Sequence, residues 1–367
     1  MRLPRANWSV CMYHDVVTQG LTVEQLDLGD AGYVREADAY LAAHGEATPF
    51  HRPAWIKAVS RATANRPYML AARGLDGRLA GLLPLNHVRS RLFGNALVSA
   101  AFAVDGGIVA NDDAAAAVLA EAAWELALTL DVEVLELRGG PGAPGWHAQD
   151  ESHIGFVRDL AADADAELAR IPRKHRAEVR KALANDDLSV ETGMNDALLA
   201  EHYAIYAASV RNLGTPVFPA ALMRETAKAF GDEAEILVVR DKGRPVAAVF
   251  SLYHRGTVLP YWGGGIRDAR GLRANELMYF RLMDHARQRG CSRFDFGRSR
   301  TGSGQAKWKT SWGFEPQPLR YWKRTKGDVV RDINPESGRY AQQVALWKKL
   351  PLPVANLIGP WLSRGLG

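Results

Sequence analysis

The strongest constraint on this chain is an order of elements that occurs twice. The run YMLAARGLDGRLAGLLPL (Tyr68–Leu85) reads as two apolar strands around a turn at Asp76–Gly77. EILVVRDKGRPVAAVFSLY (Glu235–Tyr253) has the same plan around Lys242–Gly243. Each hairpin is followed by more strand, then by an Ala- or Leu-rich helix (about 113–130 and about 272–289), then by a short strand, VEVLELRG or SRFDFGRS. Gly77 and Gly243 are offset by 166 (243 − 77), and Glu136 and Asp295 by 159 (295 − 136). The pattern predicts a duplicated α/β unit of roughly 160 residues. A chain of 367 residues also exceeds what one hydrophobic core normally serves. The expected division is an N-terminal extension (1–20), a first domain (21–165), a second domain (166–325) entered through a basic helix (170–184), and a C-terminal tail (326–367).

With 47% hydrophobic and 24% charged residues, the composition is that of a globular protein. The most apolar helical stretch, Ala114–Leu130, is interrupted by Glu121 and Glu125 and predicts no membrane span. MRLPRANWSVCMYHDVV lacks the apolar segment of a secretory signal, so a cytoplasmic location is expected. Cys11 and Cys291 make neither a disulfide framework nor a zinc spacing, and His14–Asp15 has no second ligand pair, so no metal is expected. GRSRTG (Gly297–Gly302) has Thr301 where a nucleophile elbow needs glycine, and Gly302–Ser303–Gly304 lacks the third glycine of a dinucleotide fingerprint. There is no P-loop, H-E-x-x-H or C-x-x-C.

The formal charge of +5 is unevenly spread. RIPRKHRAEVRK (Arg170–Lys181) holds six Lys/Arg and one acid, and helical spacing sets Arg173, Arg176 and Arg180 on one face beside Lys181. Two readings stand: a face for phosphates, or a solvated helix linking domains. A second helix, about 196–210, runs into RNLGTPVFP, where Gly214, Pro216 and Pro219 stop it. WKKLPLPVANLIGPWLSRGLG (347–367) reads either as a peripheral contact with a membrane surface or as a strap across the domains.

The densest mixture of chemistry is FDFGRSRTGSGQAKWKTSWGFEP (Phe294–Pro316), where Lys309 stands between Trp308 and Trp312 after a glycine-rich turn. Acyl transfer to an amine requires alignment of two substrates and stabilisation of the charge growing on a carbonyl oxygen. A lysine in a low-dielectric cleft serves the second need, since its field is little screened there. Asp295 would either accept the amine's proton or anchor Arg298 or Lys309. The competing reading of WKTSWG is a packing hairpin with a snorkelling lysine.

W-K-T-S-W-G resembles the F-K-x-x-F-G signature of the FemAB aminoacyltransferases, with Trp308 for the first Phe and Lys309 on the lysine. FHRPAWIKAV, LLPLNHVRSRLFGNALV, IPRKHRAEVRKA, SVRNLGTPVFP, YWGGG and FDFGR are similar to one branch, the FemAB-like proteins associated with exosortase/PEP-CTERM systems and exopolysaccharide clusters. The likeness covers about residues 21–367. It implies an α/β (α+β) fold of tandem GNAT-like domains, each a mixed twisted sheet flanked by helices, around a shared central cleft. It also implies an enzyme that forms an amide on an amine acceptor, small-molecule or lipid-linked, with Lys309 stabilising the transition state. No tightly bound cofactor is implied; the acyl donor is aminoacyl-tRNA or acyl-CoA. On this reading Trp308, Trp312, Tyr261, Arg298, Arg211, Arg52 and Trp55 line the cleft. Arg173, Arg176, Arg180 and Lys181 meet donor or acceptor phosphates. Arg270, Arg273 and Asn275 grip a phosphate at a helix N-terminus. Two departures matter: no long heptad arm is present, and RDARGLRANE carries Asp268 and Arg273 where a CoA pyrophosphate loop has Gln/Arg and Gly/Ala. Two other classes remain, a non-catalytic glycan or lipid-precursor binding module and a nucleic-acid-binding protein. The latter is disfavoured because the basic residues sit on one helix without aromatic platforms, so no DNA partner is expected.

Overall fold

A computed structural model describes residues 20–327 and 341–367; most of the N-terminal extension, with Cys11 and His14–Asp15, lies outside them. The first half opens with β1 (Thr22–Gln25), α1 (Ala31–Ala43) and α2 (Pro53–Thr63). It continues through β2 (Arg66–Arg73), β3 (Leu79–Ser90), β4 (Gly94–Ser99), β5 (Val109–Ala110), α3 (Asp113–Thr129) and β6 (Val134–Arg138). β7 (His147–Gln149), β8 (His153–Asp159), α4 (Ala164–Arg170) and α5 (Arg173–Leu183) connect the halves. The second half then repeats the order: β9 (Leu188–Gly193), α6 (Asp196–Leu213), α7 (Ala220–Phe230), β10 (Ala234–Asp241), β11 (Arg244–His254), β12 (Thr257–Gly265), α8 (Ala269–Leu272), α9 (Ala274–Gln288) and β13 (Arg293–Arg300). α10 (Gly304–Ser311), β14 (Gln317–Pro318), β15 (Tyr321–Thr325), α11 (Ala341–Trp347) and α12 (Leu352–Ser363) complete the chain.

Local chemistry accounts for the element ends. Both predicted hairpins form, and Gly77 (φ +75°) and Gly243 (φ +83°) occupy the left-handed position that each turn requires. Asp112 and Asn195 cap α3 and α6, and Gly214 (φ +88°) ends α6. In the described part of the tail α11 and α12 are helical: Pro351 and Pro353 lie at the start of α12, where no intrahelical N–H is needed, and Pro360 sits within it.

The two sheets do not respect the division expected at residue 165. The first runs β1-β2-β3-β4-β6-β15-β7, with β5 on β3; the second runs β14-β8-β13-β12-β11-β10-β9. β8, from before residue 165, pairs antiparallel with β13 of the second half. β15, from beyond β13, pairs antiparallel with β6 of the first. Each half thus lends a strand to the other, because the connections after β6 and β13 cross between sheets instead of turning back. The 325–326 boundary likewise falls at the end of a first-sheet strand.

α3 covers one face of the first sheet and α9 one face of the second. The remaining faces meet in a common core with α2, α6 and α7, where Trp55 stacks on Trp262 at 5.9 Å between ring centroids. Trp55 is fully buried and its indole N–H donates to the Ala101 carbonyl at 3.1 Å, so it belongs to this core rather than to a cleft. Arg52, also expected in a cleft, instead ties the halves together by pairing with Asp38 and Glu233. α12 packs on α6, and Asn65 and Arg138 hold the Arg364 and Gly367 carbonyls.

A core shared between exchanged sheets predicts one cooperative transition. Trp55→Ala is expected to lower stability by about 3–5 kcal/mol. Fluorescence and far-UV circular dichroism denaturation curves should stay coincident; separate transitions for the two halves would contradict the shared core.

Candidate functional site

A cleft of about 1920 Å³ lies between the two sheets. This exceeds the roughly 300–1,000 Å³ typical of a site for one small ligand, leaving room for two substrates. Its origin is a divergence of strands. β12 and β13 pair in parallel only at Thr257–Arg293 and Val258–Phe294, then separate. Residues 260–265 of β12 and 296–298 of β13 line the two sides of the resulting V. YWGGG is glycine-rich here because helices approach closely: a Cβ at Gly263, Gly264 or Gly265 would meet Tyr279, Ser209 or Ala269 at 2.9, 2.3 and 2.6 Å.

The equivalent V of the first half is filled. β4 and β6 pair at three positions, and the segment after β4 tucks between them. Arg138 donates to the Ala103 carbonyl and from its backbone N–H to Ser99 Oγ, while the Gly106 N–H donates to the Arg138 carbonyl. One copy of the fold is open and the other closed.

Lys309 lies under the open V. WKTSWG forms the end of α10 and the turn after it, not a hairpin, and Ser303 caps that helix by accepting from the Ala306 N–H. The glycine turn Gly302–Gly304 therefore serves the cap. On a helix, residue i+1 points about 100° away, so Lys309 leaves its tryptophan neighbour and reaches β13. Its ammonium donates to the carbonyls of Phe296, Gly297 and Arg298 at 2.7, 3.3 and 2.9 Å. Those carbonyls converge because β13 is irregular between Asp295 and Arg298, with Gly297 at φ +65°. The rings over the ammonium are Phe156 (5.4 Å) and Phe296 (5.7 Å). Trp308 lines the cleft, whereas Trp312 is fully buried against His175.

Burial pushes Lys309 down to about 8, opposed by the charge of Asp295 and aided by Arg298. Burial pushes Asp295 up to about 6, against the Gly297 N–H that its carboxylate accepts at 2.8 Å and against Lys309. Asp105 is buried too and likewise raised to about 6, chiefly by desolvation. Both members of the Asp295–Lys309 couple are thereby brought toward neutral pH.

Of the other expected residues, Tyr261, Arg298, Arg270 and Asn275 line the cleft. Tyr261 donates to the Phe102 carbonyl, and Asn275 Oδ1 is buried without a partner among the described residues. Arg273 is engaged with Glu178 at 2.5 Å and is not a free phosphate grip. Arg173, Arg176, Arg180 and Lys181 lie outside the cleft lining, because α5 buries His175, Val179 and Ala182 and turns its basic face outward. Arg176 donates to the Ala169 carbonyl and Lys181 pairs with Glu178. Arg211 holds the Lys348 carbonyl of the tail. Cleft residues not anticipated from sequence include Glu136, Arg138, His153, Tyr279, Tyr321 and Lys323. The offset between Glu136 and Asp295 was the one available signal: both stand on the short strand after the long helix of their half.

Residues 169–310 match the family described as acetyltransferase (GNAT) domain, the half whose V is open. Among solved structures, the chain is similar to FemX, at 14% identity over 83% of this chain and 97% of that one, TM-score 0.66. It is also similar to the C-terminal domain of a putative lysylphosphatidylglycerol synthetase from Agrobacterium fabrum, at 13% identity over 80% and 92%, TM-score 0.53. A third is L-PGS from Bacillus licheniformis, at 13% identity over 86% and 95%, TM-score 0.51. No curated protein matches the sequence. At these identities the structures establish the fold: two GNAT-like units in tandem, each a mixed sheet with helices.

Asp295 raises Lys309 through its charge, so Asp295→Asn is expected to move the Lys309 ammonium below its value of about 8. ¹³C NMR of the reductively methylated protein checks this; an unchanged or higher value would show that the two groups are not coupled.

Proposed function

We propose that this chain is an acyl or aminoacyl transferase that forms an amide on an amine acceptor held in the cleft. The observation carrying the reading is the open V between β12 and β13 with a buried lysine–carboxylate couple directly beneath it. An acyl carbonyl seated against β12 would develop negative charge above Lys309. All three ammonium hydrogens already have carbonyl partners, of which Gly297 is the longest at 3.3 Å. Lys309 thus acts as a positioning residue that clamps irregular β13 and supplies an unscreened positive field, rather than as a free oxyanion donor. Asp295, near 6, is the group on this strand suited to receiving the amine's proton.

The donor is aminoacyl-tRNA or acyl-CoA. The GNAT-domain match supports CoA. Arg273, committed to Glu178, and Glu276, in the first turn of α9, weigh against a standard pyrophosphate grip there. Resemblance to the exosortase-associated branch supports an acceptor in exopolysaccharide or cell-surface synthesis. The test is retention of acetyl-CoA, charged tRNA and uncharged tRNA by the full chain at two salt concentrations, followed by turnover with whichever donor binds. One donor should bind saturably, and Lys309→Met should cut turnover about 10²–10³-fold while Lys309→Arg retains a substantial part. Binding of neither donor, or full activity in Lys309→Met, would defeat the reading.

A peripheral location on an anionic membrane is also proposed. No helix among the described residues is long and apolar enough to cross a bilayer. α12, however, exposes Leu357 (79%) and Trp361 (63%) together with Val354 and Ile358, flanked by exposed Lys348, Lys349 and Arg364. Apolar side chains ringed by cations suit the boundary between acyl chains and anionic headgroups. The protein should float with vesicles containing phosphatidylglycerol, less with pure phosphatidylcholine, and much less after combined Leu357→Ala and Trp361→Ala. Equal flotation of the double variant would remove this surface from consideration.

A further inference from the structure

The end of the cleft formed by the exchanged strands is chemically different from the V. Alternate residues of β6 and β15 face it from the first sheet, among them Glu136, Arg138, Tyr321 and Lys323. Arg298 and Arg300 of β13 face it from the second. Among the described residues, four cations and one carboxylate therefore face this end. That carboxylate is already engaged: Glu136 accepts from Arg138 at 2.9 Å and lies 3.5 Å from Lys323.

Arg298 is the odd member. An arginine partly buried in a cleft wall normally meets a carboxylate, since an unpaired and poorly hydrated guanidinium is costly. Among the described residues Arg298 forms no ion pair, and its side-chain partner is a phenol: it donates to Tyr321 Oη at 2.8 Å. That hydroxyl donates its own hydrogen bond to the Val104 carbonyl at 2.7 Å, which turns its lone pairs toward the guanidinium. One N–H of the fork is thus positioned, and among the described residues the others meet no partner and are left for a ligand. His153 lies beside Tyr321, the rings tilted by 31° with centroids 5.6 Å apart. Burial, and then the charges of Arg298, Arg300 and Arg138, drive its ring down to about 3. The ring is thus neutral chiefly because it is buried, and it adds no positive charge of its own to this end of the cleft.

We infer that the cleft holds an oxyanion subsite in which the Arg298 guanidinium, oriented by Tyr321 and supported by Lys323, receives a phosphate or carboxylate of the acceptor. This deepens the transferase reading and rests on it for the word acceptor; the anion site itself stands on the geometry alone. The planar fork of arginine accepts either oxyanion in bidentate fashion. Phosphate implies a nucleotide- or lipid-linked acceptor, and carboxylate implies an amino-acid-like one.

The experiment is calorimetric titration of the full chain, without any acyl donor, using inorganic pyrophosphate in one arm and glutarate in the other. Saturable one-site binding is expected for at least one probe, weakening at least tenfold in Arg298→Met and several-fold in Lys323→Met. Lys242→Ala, an exposed change in the β10–β11 turn, should leave it unchanged. Circular dichroism verifies folding of each variant, and Tyr321→Phe, which keeps the ring but frees the guanidinium, supplies a milder second test expected to weaken binding. No saturable binding of either probe, or equal affinity in wild type, Arg298→Met and Lys323→Met, would overturn the subsite. Because no turnover is measured, absence of transferase activity would not affect this result. In a separate assay, turnover of an acceptor lacking any anionic group at undiminished rate would overturn the assignment of this subsite to the acceptor while leaving the transferase reading intact.

Discussion

The reciprocal exchange of β8 and β15 is the constraint on which the rest of the structure depends. A hydrogen-bonded strand fixes its neighbour in translation and in twist, so the two sheets are held at a set distance by backbone pairing rather than by a linker. The shared core around Trp55, Phe250 and Trp262 then packs against surfaces already in register. Without the exchange, β6 and β13 would be edge strands, and the cleft wall carrying Tyr321 opposite Arg298 would not exist.

Duplication supplied two copies of one architecture, and each copy took a different role. In the first, Arg138 stitches residues 99–106 into the space between β4 and β6, closing it. In the second, three consecutive glycines let α6, α8 and α9 approach β12 closely, and the strands stay apart. The fold alone does not specify chemistry. What distinguishes the open copy is a lysine that leaves α10 to satisfy three carbonyls of an irregular strand. Beside it lies a carboxylate whose burial raises its proton affinity.

Regular elements were legible because they are written in short-range code. Alternating apolar residues around Asp76–Gly77 and Lys242–Gly243 specify hairpins, and the 113–130 run specifies a helix that packs on a sheet. Site residues were legible only in part. Lys309, Asp295, Trp308, Tyr261 and Arg298 come together at or under the cleft, whereas Arg52, Arg211 and Arg273 look equally functional in the sequence and are consumed by structural partners. Arg52 meets Glu233 and Arg211 meets Lys348, each more than 100 positions away. A charged side chain's availability depends on which partner engages it, a carboxylate for Arg52 and a backbone carbonyl for Arg211, and that is a long-range fact. Trp312 shows the same limit for an aromatic: four residues from Trp308 on one helix turn, yet buried among His175, Tyr279 and Phe296.

The sequence by itself determined the duplicated order of elements, the turns between them and the segment carrying the lysine. Periodicity, turn chemistry and capping act over a few residues and leave their mark in composition. Only the tertiary structure decided which strands belong to which sheet, which of the two V-shaped openings stays open, and which cations face an unfilled space. Strand pairing, burial and charge neutralisation depend on residues brought together from across the chain, and no local pattern encodes their meeting.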